Sequence, residues 1–192
     1  MILGKKEIIH NLTYGGWTAH RDGVLITPDE LTINPNSVNV SLGGIALSAE
    51  YVGFIDLHNP ESVKWRRTVF SDADPLILRP GSFCLAHVRE RFDCAAWDDQ
   101  GNYFVPMIEG RSTVARCGLS IHSSAGFGDF NFSANFTLEL TTAVPIALRP
   151  GDEIAQIVFQ QVSSATKYES VYSDQFDEPR APVLSRERFQ RS

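Results

Sequence analysis

The stretch FTLELTTAVPIALRPGDEIAQIVF, residues 136–159, decides the architecture. At its start, apolar and polar side chains alternate. Phe136, Leu138 and Leu140 fall on one face, and Thr137, Glu139 and Thr141 on the other. A period of two is the mark of a half-buried β-strand. Pro150-Gly151 then signals a turn, and IAQIVF (154–159) reads as a second strand. A near copy of this turn lies upstream, where LILRPGSF (76–83) answers IALRPGDE (146–153). Nothing else recurs, so the pair predicts two equivalent corners of a sheet rather than a repeat protein.

Working outward, short apolar runs continue the pattern: GVLIT (23–27), VNVSLG (38–43), EYVGFIDL (50–57), FCLAHV (83–88) and FVPMI (104–108). Turn signals such as Asn34-Pro35-Asn36, Asn59-Pro60 and Gln100-Gly101-Asn102 separate them. Many short strands with regular turns predict a mainly β barrel or sandwich. Two segments break the rule. Residues 4–12, GKKEIIHNL, place Ile8, Ile9 and Leu12 at helical spacing. Residues 112–118, STVARCG, read as a two-turn helix with Ser112 as cap and Gly118 as terminator. From about Ser163 the chain turns polar and loses core periodicity, which predicts one β domain over 1–162 and a mobile tail over 163–192.

Composition limits the function. Gly 14 and Pro 10 in 192 residues are globular frequencies, so disorder and collagen are excluded. Lys+Arg 17 against Asp+Glu 23 gives a net charge of −6, and no global field draws in nucleic acid or an acidic membrane. A polyanionic ligand would need a local basic site. Cys84, Cys94 and Cys117 sit at unrelated spacings without a zinc pattern, as in a reduced cytoplasmic chain. Lys5, Lys6 and Glu7 stand where a signal peptide needs its apolar run, and no stretch approaches the ~18 apolar residues of a membrane span.

The local basic site lies in EGRSTVARCGLSIH, residues 109–122. Arg111, Ser112, Thr113 and Arg116 crowd one helix start, with Ser112 and Arg116 on one face. Helix N–H groups, hydroxyls and guanidiniums together form a cradle for phosphate oxygens. An ordinary capped helix with solvated arginines would carry the same residues. Downstream, Glu139 is a carboxylate in an otherwise uncharged strand, a pattern that a solvated outer-face Glu also gives. Asp129 sits in a glycine-containing loop able to close over a small ligand.

Taken in order, these segments resemble the dCTP deaminase branch of the dUTPase superfamily. GRSTVARCGLSIH is similar to the family's Gly-Arg-Ser-Ser-x-x-Arg-x-Gly-Leu-x-x-His segment. SAG (124–126), Asp129 and TLE (137–139) follow at the family spacing, and PIALRPGDEIAQIVF resembles its strand-turn-strand segment. MILGKKEI and NPNSVNVSLG match the opening and the early strand, so the resemblance spans 1–186.

The resemblance implies a dUTPase-like distorted jelly-roll β-barrel with a few short helices, forming homotrimers with interfacial active sites. It implies hydrolytic deamination of dCTP, or of a 5-substituted analogue, to the deoxyuridine nucleotide and ammonia. Arg111, Ser112, Thr113 and Arg116 would bind phosphates, with Mg2+ riding on the triphosphate. Zinc is not implied, because the zinc deaminases' His-x-Glu and Pro-Cys-x-x-Cys motifs are missing. Glu139 matches the catalytic carboxylate, while Arg116, Ser112 and the Ala125 carbonyl would position the attacking water. Asp129 matches the Asp facing the deoxyribose, which in bifunctional members also serves triphosphate hydrolysis to dUMP. Thr137, Leu138 and Gln156 match substrate contacts, and Tyr168 the tail residue that closes over the triphosphate.

Some positions depart from the family pattern. The loop after Asp129 reads Phe130-Asn131-Phe132-Ser133-Ala134-Asn135 instead of x-Gly-aromatic-x-Gly, which restricts the backbone and leaves Asn135 facing either the base or solvent. Gln175 and Pro179 replace a usual Lys and Gln, removing a positive charge from the lid, and Asn39 and Ser41 replace an acid and an Arg. A non-catalytic nucleotide-binding protein of this fold is the alternative to an enzyme. A pure dUTPase is disfavoured, since the Gly-rich C-terminal motif is missing. His122 fits a structural hydrogen bond better than a base. Trp17, Trp65 and Trp97 fit core or interface positions, Trp65-Arg66-Arg67 a basic surface step, and Arg186, Arg188 and Arg191 a positive tail end.

Overall fold

The computed structural model describes residues 1–94, 102–164, 166 and 176–185. Tyr168, Gln175, Trp97, Arg186, Arg188 and Arg191 lie outside the described residues. The fold is mainly β. The chain opens with α1 (Lys5–Thr13), then β1 (Thr18–Arg21), β2 (Val24–Ile26), β3 (Val38–Val40), β4 (Ile45–Tyr51), β5 (Val63–Val69), β6 (Leu76–Leu78) and β7 (Phe83–His87). It continues through β8 (Glu90–Asp93), β9 (Tyr103–Gly110), α2 (Ser112–Arg116), β10 (Leu119–Ser120), β11 (Thr137–Thr142), β12 (Ile146–Leu148) and β13 (Ala155–Val162). No helix among the described residues is long and apolar enough to cross a membrane.

Among the described residues four antiparallel sheets form, ordered β2-β1-β8, β10-β11-β7-β4-β5, β12-β6 and β3-β13-β9. The alternation read from the sequence holds in β11, where Leu138 and Leu140 are fully buried and Glu139 is half-buried. In β13, Ala155, Ile157 and Phe159 point inward in the same way. Phe159 anchors an aromatic cluster, with ring centroids 4.8 Å from Trp17 and 5.5 Å from Phe92. Trp17 is therefore core, 3% exposed.

The two Leu-Arg-Pro-Gly corners are equivalent, and they also pair with each other. β12 runs antiparallel to β6 with Ala147 opposite Ile77, each strand leading into its own turn. Gly81 and Gly151 adopt φ of +80° and +88°, the third-position conformation of a type II turn with Pro before it. In both turns the fourth side chain, Ser82 or Asp152, accepts from the arginine N–H. The echo is thus a local two-fold arrangement of one sheet.

Three expectations change. EYVGFIDL does not run as one strand: β4 ends at Tyr51, and Val52, Phe54 and Leu57 are exposed in the following loop. Ser112 is not the cap of α2. Arg111 holds that place without a side-chain cap, Ser112 is the first helical residue, and five residues fall short of two turns. In α1, Ile8 is buried but Ile9 faces out, and Asn11 takes the inner position instead.

One buried charge organises the junction of β1, β3 and β8. The Glu90 carboxylate is 2% exposed and receives the Ser41 N–H at 2.7 Å, the Ser41 hydroxyl at 2.9 Å and the Arg21 guanidinium at 2.7 Å. Every donor comes from a neighbouring segment, so the carboxylate ties three pieces of chain together.

Candidate active site

The residues singled out in the sequence fall into two groups. The first surrounds a cleft of about 640 Å³. Its floor is the ladder between β7 and β11, where Glu139 stands opposite Leu85. Cross-strand partners share a face, so Leu85, Thr137 and Glu139 all present side chains to the cleft. Glu139 is held by its own N–H to the Ile121 carbonyl at 2.7 Å, and its carboxylate accepts the Ser123 N–H at 3.4 Å. Leu138 points into the core and its side chain does not reach the cleft.

A second wall comes from the loop carrying Ala125, Phe127 and Asp129. This loop lies tight on β9: the Ile108 N–H donates to the Gly126 carbonyl at 2.7 Å, and a Cβ on Gly126 would sit 2.6 Å from the Ile108 oxygen. Glycine is required there by close approach. Beyond Asp129, Asn131 occupies the first lost glycine's place and keeps a left-handed φ of +67°. Asparagine tolerates that region better than other side chains, so the loop survives the substitution. Trp65, on β5, is neither core nor plain surface but lines the cleft, and Arg66 and Arg67 beside it pair with Glu50 and Glu178.

Asn135 does not face solvent, and it is one of the residues lining the cleft. It is 3% exposed, donates to the carbonyls of Val88 at 2.9 Å and Arg89 at 3.1 Å, and accepts the Asp177 N–H at 3.1 Å. It fastens a C-terminal strap, residues 176–185, across the start of β11. The Arg180 N–H donates to the Thr137 hydroxyl at 3.3 Å, Arg91 lies 4.8 Å over the Phe176 ring, and Leu184 is buried. Arg180, Pro182 and Leu184 complete the cleft. Sequence reading missed these three. The one local signal was a pair of prolines flanking Arg180, which stiffen the backbone without saying where it lies.

The second group gathers at α2, away from the cleft lining. Ser112, Thr113 and Arg116 are exposed. Arg111 donates to the Glu153 carboxylate and carbonyl, each at 2.9 Å, and Asn39 and Thr32 donate to the same carboxylate. Gln156 joins this group, accepting from Ser37 at 2.7 Å and donating to the Gly110 carbonyl at 3.2 Å. None of this second group is among the described residues lining the cleft. His122 does not make the expected hydrogen bond: its Nδ1 is buried without a partner among the described residues, and its Nε2 stands 3.9 Å from Glu109. Among the described residues no three His, Cys, Asp or Glu side chains gather as metal ligands.

His87 continues the cleft face beneath the strap, opposite Thr137 and 3% exposed. Burial holds its pKa below the usual 6.5, outweighing the upward pull of Asp177, the Ile45 backbone, Asp22 and Glu178. The unfolded chain therefore takes up a proton below pH 6.5 that the folded chain resists. This contribution to stability is complete above that value and is lost as pH falls through the lower folded-state pKa. We expect the thermal midpoint to drop on acidification through this window. His87→Gln should flatten that part of the slope in calorimetry at stepped pH.

The architecture is that of a known class. A solved 2′-deoxycytidine 5′-triphosphate deaminase from Agrobacterium tumefaciens superposes with a TM-score of 0.61 and 17% identity over 84% of this chain. This chain spans 48% of that one's length, and the likeness fixes the fold alone. The family model described as dCTP deaminase-like matches residues 3–162. A dUMP-forming dCTP deaminase of Clostridium beijerinckii is 37% identical over 163 residues, 84% of this chain and 83% of the relative. A dCTP deaminase of Thermomicrobium roseum is 33% identical over 173 residues, 85% and 81% of the two chains. The chain belongs to the dCTP deaminase family.

Proposed function

We propose that this chain is a dCTP deaminase, a hydrolase of pyrimidine deoxynucleotide metabolism. The observation that carries the reading is Glu139, a half-buried carboxylate presented to a largely apolar cleft beside Ala125, Asp129 and Thr137. Water adds to C4 of the cytosine ring as Glu139 takes one of its protons. The proton passes to N3, and a second transfer from the new C4 hydroxyl releases the amino group as ammonia, leaving a C4 carbonyl. One carboxylate suffices, because each proton it takes is returned within the same turnover. No zinc is invoked, and Mg2+ enters with the triphosphate as part of the substrate.

The second group supports a homotrimer with interfacial sites. Exposed Ser112, Thr113 and Arg116 are not among the residues lining their own chain's cleft, so a neighbouring copy is the natural recipient of their phosphate-binding groups. Gln156 and Arg111, tied into the sheet behind α2, hold that surface in shape. On this reading residues 1–162 form the barrel domain, and 163–192, with Tyr168, the lid. A reduced cytoplasmic setting is part of this reading, and in it buried Cys84, its thiol pKa pushed up to about 11 by burial, is an unreactive core side chain.

A second reading, deamination with triphosphate hydrolysis to dUMP, is favoured by Asp129 beside Glu139 in the same cleft. Phe127, Phe132 and Phe136 in its walls also suit a substituent at C5 of the base. We expect Mg·dCTP to yield ammonia, and the ratio of pyrophosphate to ammonia to assign the second activity: near zero for a deaminase alone, near one for the dUMP-forming enzyme. Running 5-methyl-dCTP and dUTP alongside separates base preference from phosphate cleavage. Nucleotide binding without either product would favour the binding-protein alternative.

A further inference from the structure

The loop that carries Asp129 and Phe132 into the cleft is held from outside it. Both of its ends are fixed. The Gly128 N–H donates to the Pro106 carbonyl at 2.8 Å, and the Asn135 amide donates to the Val88 and Arg89 carbonyls. Between these ends, the Phe132 N–H closes a turn on the Asp129 carbonyl at 3.1 Å, with Asn131 in its left-handed conformation. Two side chains leave this stretch for neighbouring strands. Phe130 meets the Tyr103 ring edge-on, with centroids 5.6 Å apart, and the Ser133 hydroxyl donates to the Asp93 carboxylate on β8.

Asp93 is itself held in place. Ser133 takes its Oδ1, while its Oδ2 receives Arg91 at 2.9 Å and the Thr18 hydroxyl at 3.3 Å. Arg91 also donates to Nδ1 of His20 at 3.2 Å, which ties the cluster to β1. The carboxylate is 29% exposed, and it cannot turn to another donor without leaving these partners. A hydrogen bond to such an ionised acceptor is among the stronger kinds. Ser133 and Phe132 are neighbours in the chain, yet they go to opposite partners. Ser133 goes to β8, whereas Phe132 lines the cleft with its ring 4.7 Å from Phe136. Fixing Ser133 therefore fixes where the Phe132 ring stands.

We infer that Asp93 is a positioning residue of the site, acting through Ser133 to set Phe132 and Asp129 in place before substrate binds. Asp93 is not among the described residues lining the cleft, so it acts through the loop and not on the substrate. Its effect falls on binding. A wall already held in place spares the nucleotide the cost of ordering it. Proton transfer at Glu139 is left alone, because that residue stands on β11 and is held by Ile121 and Ser123. This inference rests on the reading of the cleft as the site of a deoxycytidine nucleotide.

The test compares wild type with Ser133→Ala, Ser133→Thr, Asp93→Ala and the double variant Ser133→Ala with Asp93→Ala, all in the full chain. Thr18→Val is the control, since it removes a bond to Oδ2 and leaves Ser133 in place. Hydrogen exchange over residues 129–135, affinity for Mg·dCTP and kcat are measured for each. Ser133→Ala should exchange faster in that stretch. It should bind dCTP about three- to tenfold more weakly, the span of one hydrogen bond, with kcat within about twofold of wild type. Ser133→Thr keeps the hydroxyl and should behave as wild type, as should Thr18→Val. The double variant should bind no more weakly than Asp93→Ala, because the two side chains form one contact. Unchanged exchange and affinity in Ser133→Ala would overturn the inference. So would additive losses in the double variant, or an equal effect of Thr18→Val, either of which makes the cluster a structural one only. If wild type binds dCTP but releases no ammonia, the deaminase reading fails, while exchange over 129–135 still decides whether Asp93 holds the loop.

Discussion

Glu139→Gln is expected to lower ammonia release from dCTP by about 10²- to 10⁴-fold while nucleotide affinity changes little. Glutamine keeps the size and can still accept the Ser123 N–H that reaches the carboxylate at 3.4 Å. What it loses is the capacity to take a proton from water and return it. The strand around it gives no reason for collapse, since Leu138 and Leu140 on the opposite face carry the packing and are untouched. Parallel measurement of kcat and of dCTP affinity separates the outcomes. A fall in kcat with unchanged affinity identifies the proton carrier, whereas loss of binding would make Glu139 a contact rather than a shuttle.

The largest expected effect on stability is at Arg21. Its guanidinium, 30% exposed, meets the Glu90 carboxylate, 2% exposed, at 2.7 Å. Arg21→Met would leave a buried carboxylate with only the neutral Ser41 N–H and hydroxyl as donors. Removing one partner of a buried pair typically costs 3–5 kcal/mol. Because Arg21 is partly exposed, water can enter where its head group was, so we expect the lower end, about 3 kcal/mol. Urea unfolding measures the loss directly. The double variant Arg21→Met with Glu90→Leu should recover a large part of it, since no uncompensated charge then remains. Position 41 is where the resemblance expects an arginine, and the cation reaching Glu90 comes instead from β1.

The same pair explains a limit of the sequence reading. Alternation found β11 and β13 because their inward residues are apolar. It passed over β8, ERFD, because the inward residues there are Glu90 and Phe92, and a buried carboxylate looks like a surface one until Arg21 and Ser41 are placed around it. β5, VKWRRTV, looked like a basic surface step because Arg66 and Arg67 carry surface ion pairs, although Trp65 between Lys64 and Arg66 reaches the cleft. The opposite error occurred at Val52 to Leu57, where apolar side chains follow β4 without a strand to hold them.

The candidate site was legible where chemistry is local. Glu139 could be assigned to the outer face of its strand from two neighbours on each side, and Ala125 and Asp129 lie in the adjoining loop. Asn135 and Arg180 were not legible, because their roles are contacts between segments over 40 residues apart in sequence. Local spacing holds no record of such contacts. The α2 residues are exposed and none of them lines the cleft that holds Glu139, which is a property of the folded arrangement that local spacing does not carry.

The central claim is that dCTP loses its amino group in this cleft, and ammonia release from Mg·dCTP by the wild-type chain tests it most directly. The expected result is one ammonia for each dCTP consumed, with the C4 carbonyl appearing in the nucleotide product. Recovery of intact dCTP from an enzyme that demonstrably binds it would contradict the claim.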